Sequence, residues 1–331
     1  MQDLDFRTLV GHGAALQALR KGGRREPFPS LIFDGPARIG KRLTGIWYAA
    51  FLNCLQKDDL APCGQCSACK KLASGGHPDL HCTRVPEKKT VVGVSEVREI
   101  INEIHHAPFE GNFRVWIIEE GERLSDEAQN ALLKTLEEPP RRAVILLVTN
   151  LVGTLLPTVF SRCRLVRFGG LEPGQMLEAL RSQGADQAMA DKLTALCGGS
   201  LGLALTLLRE PGVLEEQENV LELFGGLPGQ DLWAAVEAAR LLERSKHTSP
   251  DALIGLGLSF FRDLLMLSAG SPELVVHKSR LAQFEQLASQ ISTSEIRALI
   301  KEFQEADLYL QRNVSPRLLF QRLCVNVSRS L

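Results

Sequence analysis

The pattern of this chain predicts an α/β domain on a parallel sheet followed by helices alone, and three observations carry the prediction. Between residues 28 and 168, short apolar runs alternate with helical stretches, as in a parallel sheet covered by helices. Gly35-Pro36-Ala37-Arg38-Ile39-Gly40-Lys41, placed between a strand and a helix, matches a phosphate-binding loop. After residue 169 the strand pattern stops, and helical periodicity broken by Gly and Pro continues to Leu331.

The expected strands are Leu31-Phe33, Leu80-Val85, Val115-Ile118, Val144-Thr149 and Leu165-Phe168. After Lys41, the residues Leu43, Ile46, Trp47, Ala50 and Phe51 recur at helical spacing. Ser125-Asp126-Glu127 opens another helix with a capping hydroxyl and acids in the first turn, and Pro139-Pro140 stops it. A small helical unit is expected from 170 to 210. Beyond it, Gly225-Gly226-Leu227-Pro228-Gly229 separates later helices, among them 231–244, 250–268, 279–291 and 294–311. The domain division that follows is 1–168, 169–211 and 212–331, consistent with a 331-residue chain exceeding one typical domain.

Composition narrows the function classes. A hydrophobic content of 44% fills a core in each domain, and a net charge of −1 excludes coating of nucleic acid by bulk charge while allowing a local basic patch. No apolar run approaches the about 18 residues needed to span a bilayer, and the first residues, Met1-Gln2-Asp3-Leu4-Asp5, lack a basic and then apolar leader; a cytoplasmic location without membrane contact is expected. Eight cysteines in such a chain are expected to be reduced thiols. Cys82, Cys163, Cys197 and Cys324 are scattered singly and read as small buried apolar residues.

The other four, Cys54, Cys63, Cys66 and Cys69, stand in C-x8-C-x2-C-x2-C, a spacing for tetrahedral zinc. Gly64 and Ser67-Ala68 leave room for tight turns between them. Cys54 is the candidate fourth ligand, although it also continues the apolar stripe of the preceding helix; His77 and Cys82 are its competitors. In the phosphate loop, Gly35 and Gly40 let backbone N–H groups converge on phosphate at a helix N-terminus, and Lys41 neutralises its charge. The loop should close with Ser or Thr to hold magnesium, yet Arg42 stands there. An acidic pair at a strand end, Glu119-Glu120, has the shape of a metal-binding and water-polarising pair, with Glu119 where Asp is usual. Ser161-Arg162-Cys163 puts an arginine at the edge of the domain. That arginine reads either as a finger toward a neighbour's nucleotide or as a surface cation paired with a local acid.

Taken in order, the P-loop, the inserted cysteines, the acidic strand, Ala131-Leu132-Leu133-Lys134-Thr135-Leu136-Glu137-Glu138-Pro139-Pro140 and Ser161-Arg162-Cys163 closely resemble the AAA+ subunits of bacterial DNA polymerase III clamp loaders. Leu9-Val10-Gly11-His12 is similar to the family's adenine-side box, and Arg312-Asn313-Val314-Ser315-Pro316-Arg317-Leu318-Leu319 to its C-terminal collar helix. The resemblance implies an AAA+ domain with a zinc knuckle at 54–69, a helical lid and an all-α collar that holds a five-subunit ring. It implies motor (gamma/tau) and delta subunits, the sliding clamp and primer–template DNA as partners, and Arg162 acting in trans. Three departures set the chain with the stator, delta-prime type rather than the ATP-hydrolysing motor type, the alternative: Arg42, Glu119, and Gly202 in Gly199-Ser200-Leu201-Gly202, where motors carry a sensor arginine. Thr149 or Asn150 is the expected first sensor. Zinc is the expected structural cofactor, ATP or ADP in the degenerate site is left open, and the end at Leu331 is read as lacking a motor-type extension.

Overall fold

The computed structural model describes Phe6 and residues 9–56, 60–83, 91–311 and 314–330. They fall into two compact units, Met1–Asp186 with Cys197–Leu203, and Gln187–Leu196 with Ala204–Leu331. The stretch 169–211, expected as a separate lid, therefore contributes to both units.

In the first unit the order is α1 (Gly13–Lys21), β1 (Ser30–Asp34), α2 (Lys41–Asn53), α3 (Ser67–Ser74), β2 (Leu80–Thr83), α4 (Val94–Ile104), β3 (Arg114–Ile118), α5 (Asp126–Glu137), β4 (Ala143–Thr149), α6 (Pro157–Phe160), β5 (Arg164–Arg167) and α7 (Pro173–Ser182). The strands form one parallel sheet in the order β2-β3-β4-β1-β5. Because strand side chains alternate, the sheet builds two cores. Leu31, Phe33, Ile117, Leu146 and Val148 face α1, α2 and α3, where Leu19, Trp47, Phe51 and Leu72 meet them. Ile32, Trp116, Ile118, Ile145 and Leu147 face α4 and α5, against Val97, Ile100, Ala128 and Leu132. Burial on both faces explains why β4 is apolar without alternation.

Local chemistry sets the element ends. Ser125 caps α5 by accepting from the Ala128 N–H at 3.2 Å, as its sequence predicts. The expected strand Leu80-Val85 ends at Thr83, with Arg84 and Val85 outside the described residues, as are Met1 to Asp5, Arg312 and Asn313. Two readings are corrected. Ser67-Ala68 forms no turn but opens α3, because the Cys66 sulfur accepts from the Cys69 N–H and caps a helix there. Cys82 is exposed on the edge strand β2, and Cys163 is half-buried.

The second unit is helical: α8 (Gln187–Leu196), most of α9 (Leu201–Arg209), α10 (Pro211–Gly226), α11 (Leu232–Glu243), α12 (Pro250–Ser268), α13 (Leu281–Ala288), α14 (Thr293–Gln311) and α15 (Pro316–Ser328). Phe224, Phe260, Phe261, Phe284 and Phe303 form its centre. Gly257 lets α12 and α14 approach closely, since a β-carbon there would lie 2.0 Å from the Phe303 ring. Asp263, fully buried, accepts from the N–H groups of Val276 and His277 and bonds the His277 ring at 2.7 Å, tying the turn after α12 to that helix. No described helix is long and apolar enough to cross a membrane.

Candidate nucleotide site, cysteine cluster and edge arginine

The phosphate loop joins the C-terminal end of β1 to the N-terminus of α2, where unpaired helical N–H groups collect. Its path requires glycine at Gly35: φ is +148°, and a β-carbon would lie 2.2 Å from the Phe168 carbonyl oxygen. Gly40, at φ +104°, is the N-cap of α2. Arg38 also takes a left-handed conformation, φ +58°, and its carbonyl accepts from the Gly202 N–H at 3.0 Å. Gly202 packs so closely that a β-carbon would stand 2.5 Å from that oxygen, and the Ser200 hydroxyl donates to the Ala37 carbonyl at 3.3 Å. Glycine at 202 thus brings its own backbone onto the loop as well as lacking an arginine. His12 seals the other side, its Nε2 2.6 Å from the Ile39 carbonyl oxygen.

Lys41 is buried. Its ammonium donates to the carbonyls of Gly35 and Pro36 and, at 2.8 Å, to Asn150 Oδ1. Burial pushes it down to about 8, against the upward pull of the Glu122 and Asp34 carboxylates. Of the two candidate sensors, Asn150 is the one that meets Lys41; the buried Thr149 turns its hydroxyl to the Leu151 N–H instead, at 3.1 Å. Glu122, unremarked in the sequence because it lies in a short turn beyond the acidic pair, orients Asn150 by accepting from its backbone N–H at 3.1 Å and its side-chain amide at 2.7 Å.

Beside the loop, Arg42 Nε lies 2.8 Å from Glu119 Oε1, so the cation that stands where Ser or Thr is expected pairs with the first acid of the strand-end pair. Glu120, at φ +56°, diverges from Glu119 and pairs with Arg123 at 2.7 Å. The two acids are adjacent in sequence but do not converge on one point.

Cys54, Cys63, Cys66 and Cys69 do converge: their four sulfurs lie within 4.8 Å of one another. Tetrahedral zinc with Zn–S near 2.3 Å needs sulfurs about 3.8 Å apart, and Cys63 and Cys69 are 3.9 Å apart. The donor set fits a metal ion such as zinc. Cys54 ends α2 and is buried while also facing the cluster, so its core and ligand readings are compatible. Burial raises the Cys63 thiol, but N–H groups of Gln65 and Cys66 and the neighbouring Cys54 and Cys66 outweigh it and hold it down to about 6. Cys69 moves upward, chiefly by burial. His77 does not join the cluster; its Nδ1 accepts from the Asp79 N–H at 3.1 Å. Asp79 in turn accepts from the N–H groups of Phe109, Glu110 and Gly111 at 2.6, 2.9 and 2.7 Å. With Asn53 paired to both backbone groups of Phe113, this fastens the cluster's supports to the turn before β3.

Arg162 follows α6 at the N-terminal end of β5, whereas the phosphate loop leaves the C-terminal end of the parallel neighbour β1. The arginine therefore sits at the end of the sheet opposite its own phosphate loop. Nε donates to Glu137 Oε1 at 2.6 Å, Nη2 reaches the same oxygen, and Nη1 donates to the Thr158 carbonyl at 2.8 Å. Glu137 belongs to the Ala131–Pro140 run, whose link to the arginine only the fold reveals. About a third of the Arg162 side chain remains exposed, at 31%.

A profile of the family described as "DNA polymerase III, delta subunit" matches residues 14–172. The chain is 35% identical over 207 residues to DNA polymerase III subunit delta′ of Pseudomonas aeruginosa, covering 61% of this chain and 62% of that relative. It is 31% identical over 254 residues to subunit delta′ of Escherichia coli K12, covering 76% and 73%. To subunit gamma of Buchnera aphidicola it is 30% identical over 258 residues, covering 73% and 69%. On these similarities the chain belongs to the DNA polymerase III clamp-loader family, as a delta′-like member.

Proposed function

We propose that this chain serves a bacterial clamp loader as its stator: it helps to load the sliding clamp onto primed DNA and lends Arg162 to the active site of a neighbouring ATPase subunit. The observation that carries this reading is the Arg42–Glu119 ion pair, which places a fixed cation where a motor subunit needs an exchangeable one. With Lys41 held by the loop's own carbonyls and Gly202 packed on Arg38, the loop keeps the architecture of a nucleotide site without its metal chemistry. The active-motor reading requires a Ser or Thr hydroxyl for Mg²⁺ where Arg42 stands.

The division proposed from the family is an AAA+ domain at 1–168, a lid at 169–211 and a collar at 212–331 that joins gamma/tau and delta subunits in a five-membered ring. The four cysteines are assigned as ligands of a structural zinc ion, whose chemistry is to cross-link the end of α2 to α3. Gly35, Gly40 and Lys41 are assigned to a degenerate nucleotide site, with Arg42, Glu119, Glu120 and Thr149 around it and Asn150 nearest the lysine.

Arg162 is positioned to act outward. It faces away from its own phosphate loop, keeps exposed surface, and is oriented by Glu137, so a neighbour's phosphate would exchange one anion for another. The test is clamp-stimulated ATP turnover and clamp loading by a reconstituted ring carrying Arg162→Ala. Assembly should persist while turnover falls; one finger contributes about 10³–10⁵ in related GTPases, diluted here by the ring's other sites. Arg162→Lys should not restore it, because an ammonium lacks the planar fork. Wild-type loading by the Ala variant would make Arg162 a surface cation.

A further inference from the structure

Two helices fixed to each other deliver the partners of the Arg162–Glu137 pair. Glu137 is the last residue of α5: a residue before proline is disfavoured in the helical region, and Glu138 leaves the helix at φ −123°, ψ 69° ahead of Pro139. Leu132 and Leu136, on the buried face of α5, share a core with Leu155 and with the fully buried Val159 of α6. Gln129, buried on the same helix, ties the two elements together. Its amide donates to the Leu124 and Thr154 carbonyls at 3.1 and 3.4 Å, and its Oε1 accepts from the Leu156 N–H at 2.7 Å. Glu137 and Arg162 therefore project from supports that hold one relative geometry.

A guanidinium carries its N–H donors in a rigid plane. In Arg162, Nε and Nη2 converge on the single oxygen Glu137 Oε1, while Nη1 reaches the Thr158 carbonyl at 2.8 Å and the Ser161 hydroxyl at 3.3 Å. Sharing one oxygen with Nε uses one Nη2 hydrogen and leaves the other for an incoming anion. Two sides of the plane are thus fixed by this chain, and the tip is left open. With side-chain exposures of 31% and 47%, the pair adds little to folding stability. What it supplies is direction: an unheld arginine spreads over many rotamers, and holding it beforehand removes that entropy from the step in which phosphate is gripped. Glu138, exposed beside Glu137, makes no described bond to the arginine.

Granted the reading of Arg162 as a finger in trans, on which this rests, we propose that Glu137 is its positioning residue, acting through the arginine and not on the neighbour's nucleotide. The carboxylate keeps Nε while Nη2 passes to the phosphate, so the exchange of anions takes place at the tip and the plane of the fork is retained. Orientation then requires an acceptor oxygen at this distance from α5 more than it requires a charge. Glutamine supplies that oxygen without the charge, aspartate supplies the charge without the reach, and alanine supplies neither.

The experiment compares clamp-stimulated ATP turnover by reconstituted rings at matched assembly, with the thermal midpoint of each free chain recorded. Glu137→Ala should lower kcat with KM little changed, losing at least about half of what Arg162→Ala loses, since misplacement by about 1 Å can cost about 10²-fold at one site. Its midpoint should stay at the wild-type value. Glu137→Gln should keep most of the turnover, and Glu138→Ala, an equal loss of charge one residue on, should keep all of it. Glu137→Asp should fall with the alanine variant, and it serves in its place if that chain assembles poorly. In Glu137→Ala/Arg162→Ala the first change should cost nothing beyond the second, because a residue that acts through another has no effect once the other is gone. Wild-type turnover in Glu137→Ala, beside an impaired Arg162→Ala, would overturn the positioning role and leave the finger. Additive losses in the double variant would overturn it too, as would a rise in turnover with either Glu137→Ala or Glu137→Gln, which would show a carboxylate that competes with phosphate. Normal turnover in Arg162→Ala would instead remove the finger itself, and the positioning role with it.

Discussion

Arg42 shows how one residue changes the chemistry of an inherited loop. Paired with Glu119 at 2.8 Å, it is proposed to remove two metal contacts together, the missing hydroxyl and the neutralised carboxylate. Arg42→Thr with Glu119→Asp should therefore create a dependence of nucleotide affinity on Mg²⁺ that the wild-type chain lacks. Isothermal titration with and without Mg²⁺ should show a gain of about tenfold, or ~1.4 kcal/mol, in the double variant only. The same magnesium effect in wild type would contradict the role given to the ion pair. Cys66 bears on the metal at the same scale: Cys66→Ser leaves three thiols, and metal analysis should show the zinc content fall from one equivalent toward zero. Retention of the full equivalent would remove Cys66 from the ligand set.

At the scale of elements, a buried carboxylate anchors the turn before β3 together with Asn53. Asp79 accepts three backbone N–H groups, and although burial raises its carboxyl, those donors outweigh it and hold it below the ordinary value. Asp263 behaves alike, lowered by His277 and the Val276 N–H against burial. A lowered folded pKa means that this stabilisation is complete above the unfolded value near 3.9 and is lost as pH falls through the folded value. Thermal denaturation followed from pH 7 toward 3 should show the loss, and Asp79→Asn should flatten it. Asp79→Ala removes the acceptor of three part-buried N–H groups and should destabilise the first unit by about 1–3 kcal/mol. An unchanged acid profile in Asp79→Asn would show that the carboxylate charge contributes nothing.

At the scale of the whole molecule the chain is a delta′-like clamp-loader subunit, proposed to express its chemistry on a neighbour. Isolated, it should hydrolyse ATP negligibly with or without Mg²⁺, measured by phosphate release, while a ring containing it turns over. Motor-like turnover by the purified chain alone would remove the stator assignment. The Arg162–Glu137 pair belongs to this scale as well, since it fixes the guanidinium at the end of the sheet away from its own loop.

Periodicity and capping signals by themselves determined the parallel sheet, the order of its strands along the chain and the helices between 231 and 311, because strand alternation, proline stops and helix caps are local. The spacing likewise brought Cys63, Cys66 and Cys69 together, while the fold chose Cys54 over His77 and Cys82 as the fourth member of the cluster. What the tertiary structure decided was which groups at a distance in sequence face one another. Arg42 and Glu119 are 77 positions apart, yet the parallel order brings the end of β3 beside the start of α2. Gly202 reads in sequence as a lost arginine, but the fold shows a glycine that close approach to Arg38 requires.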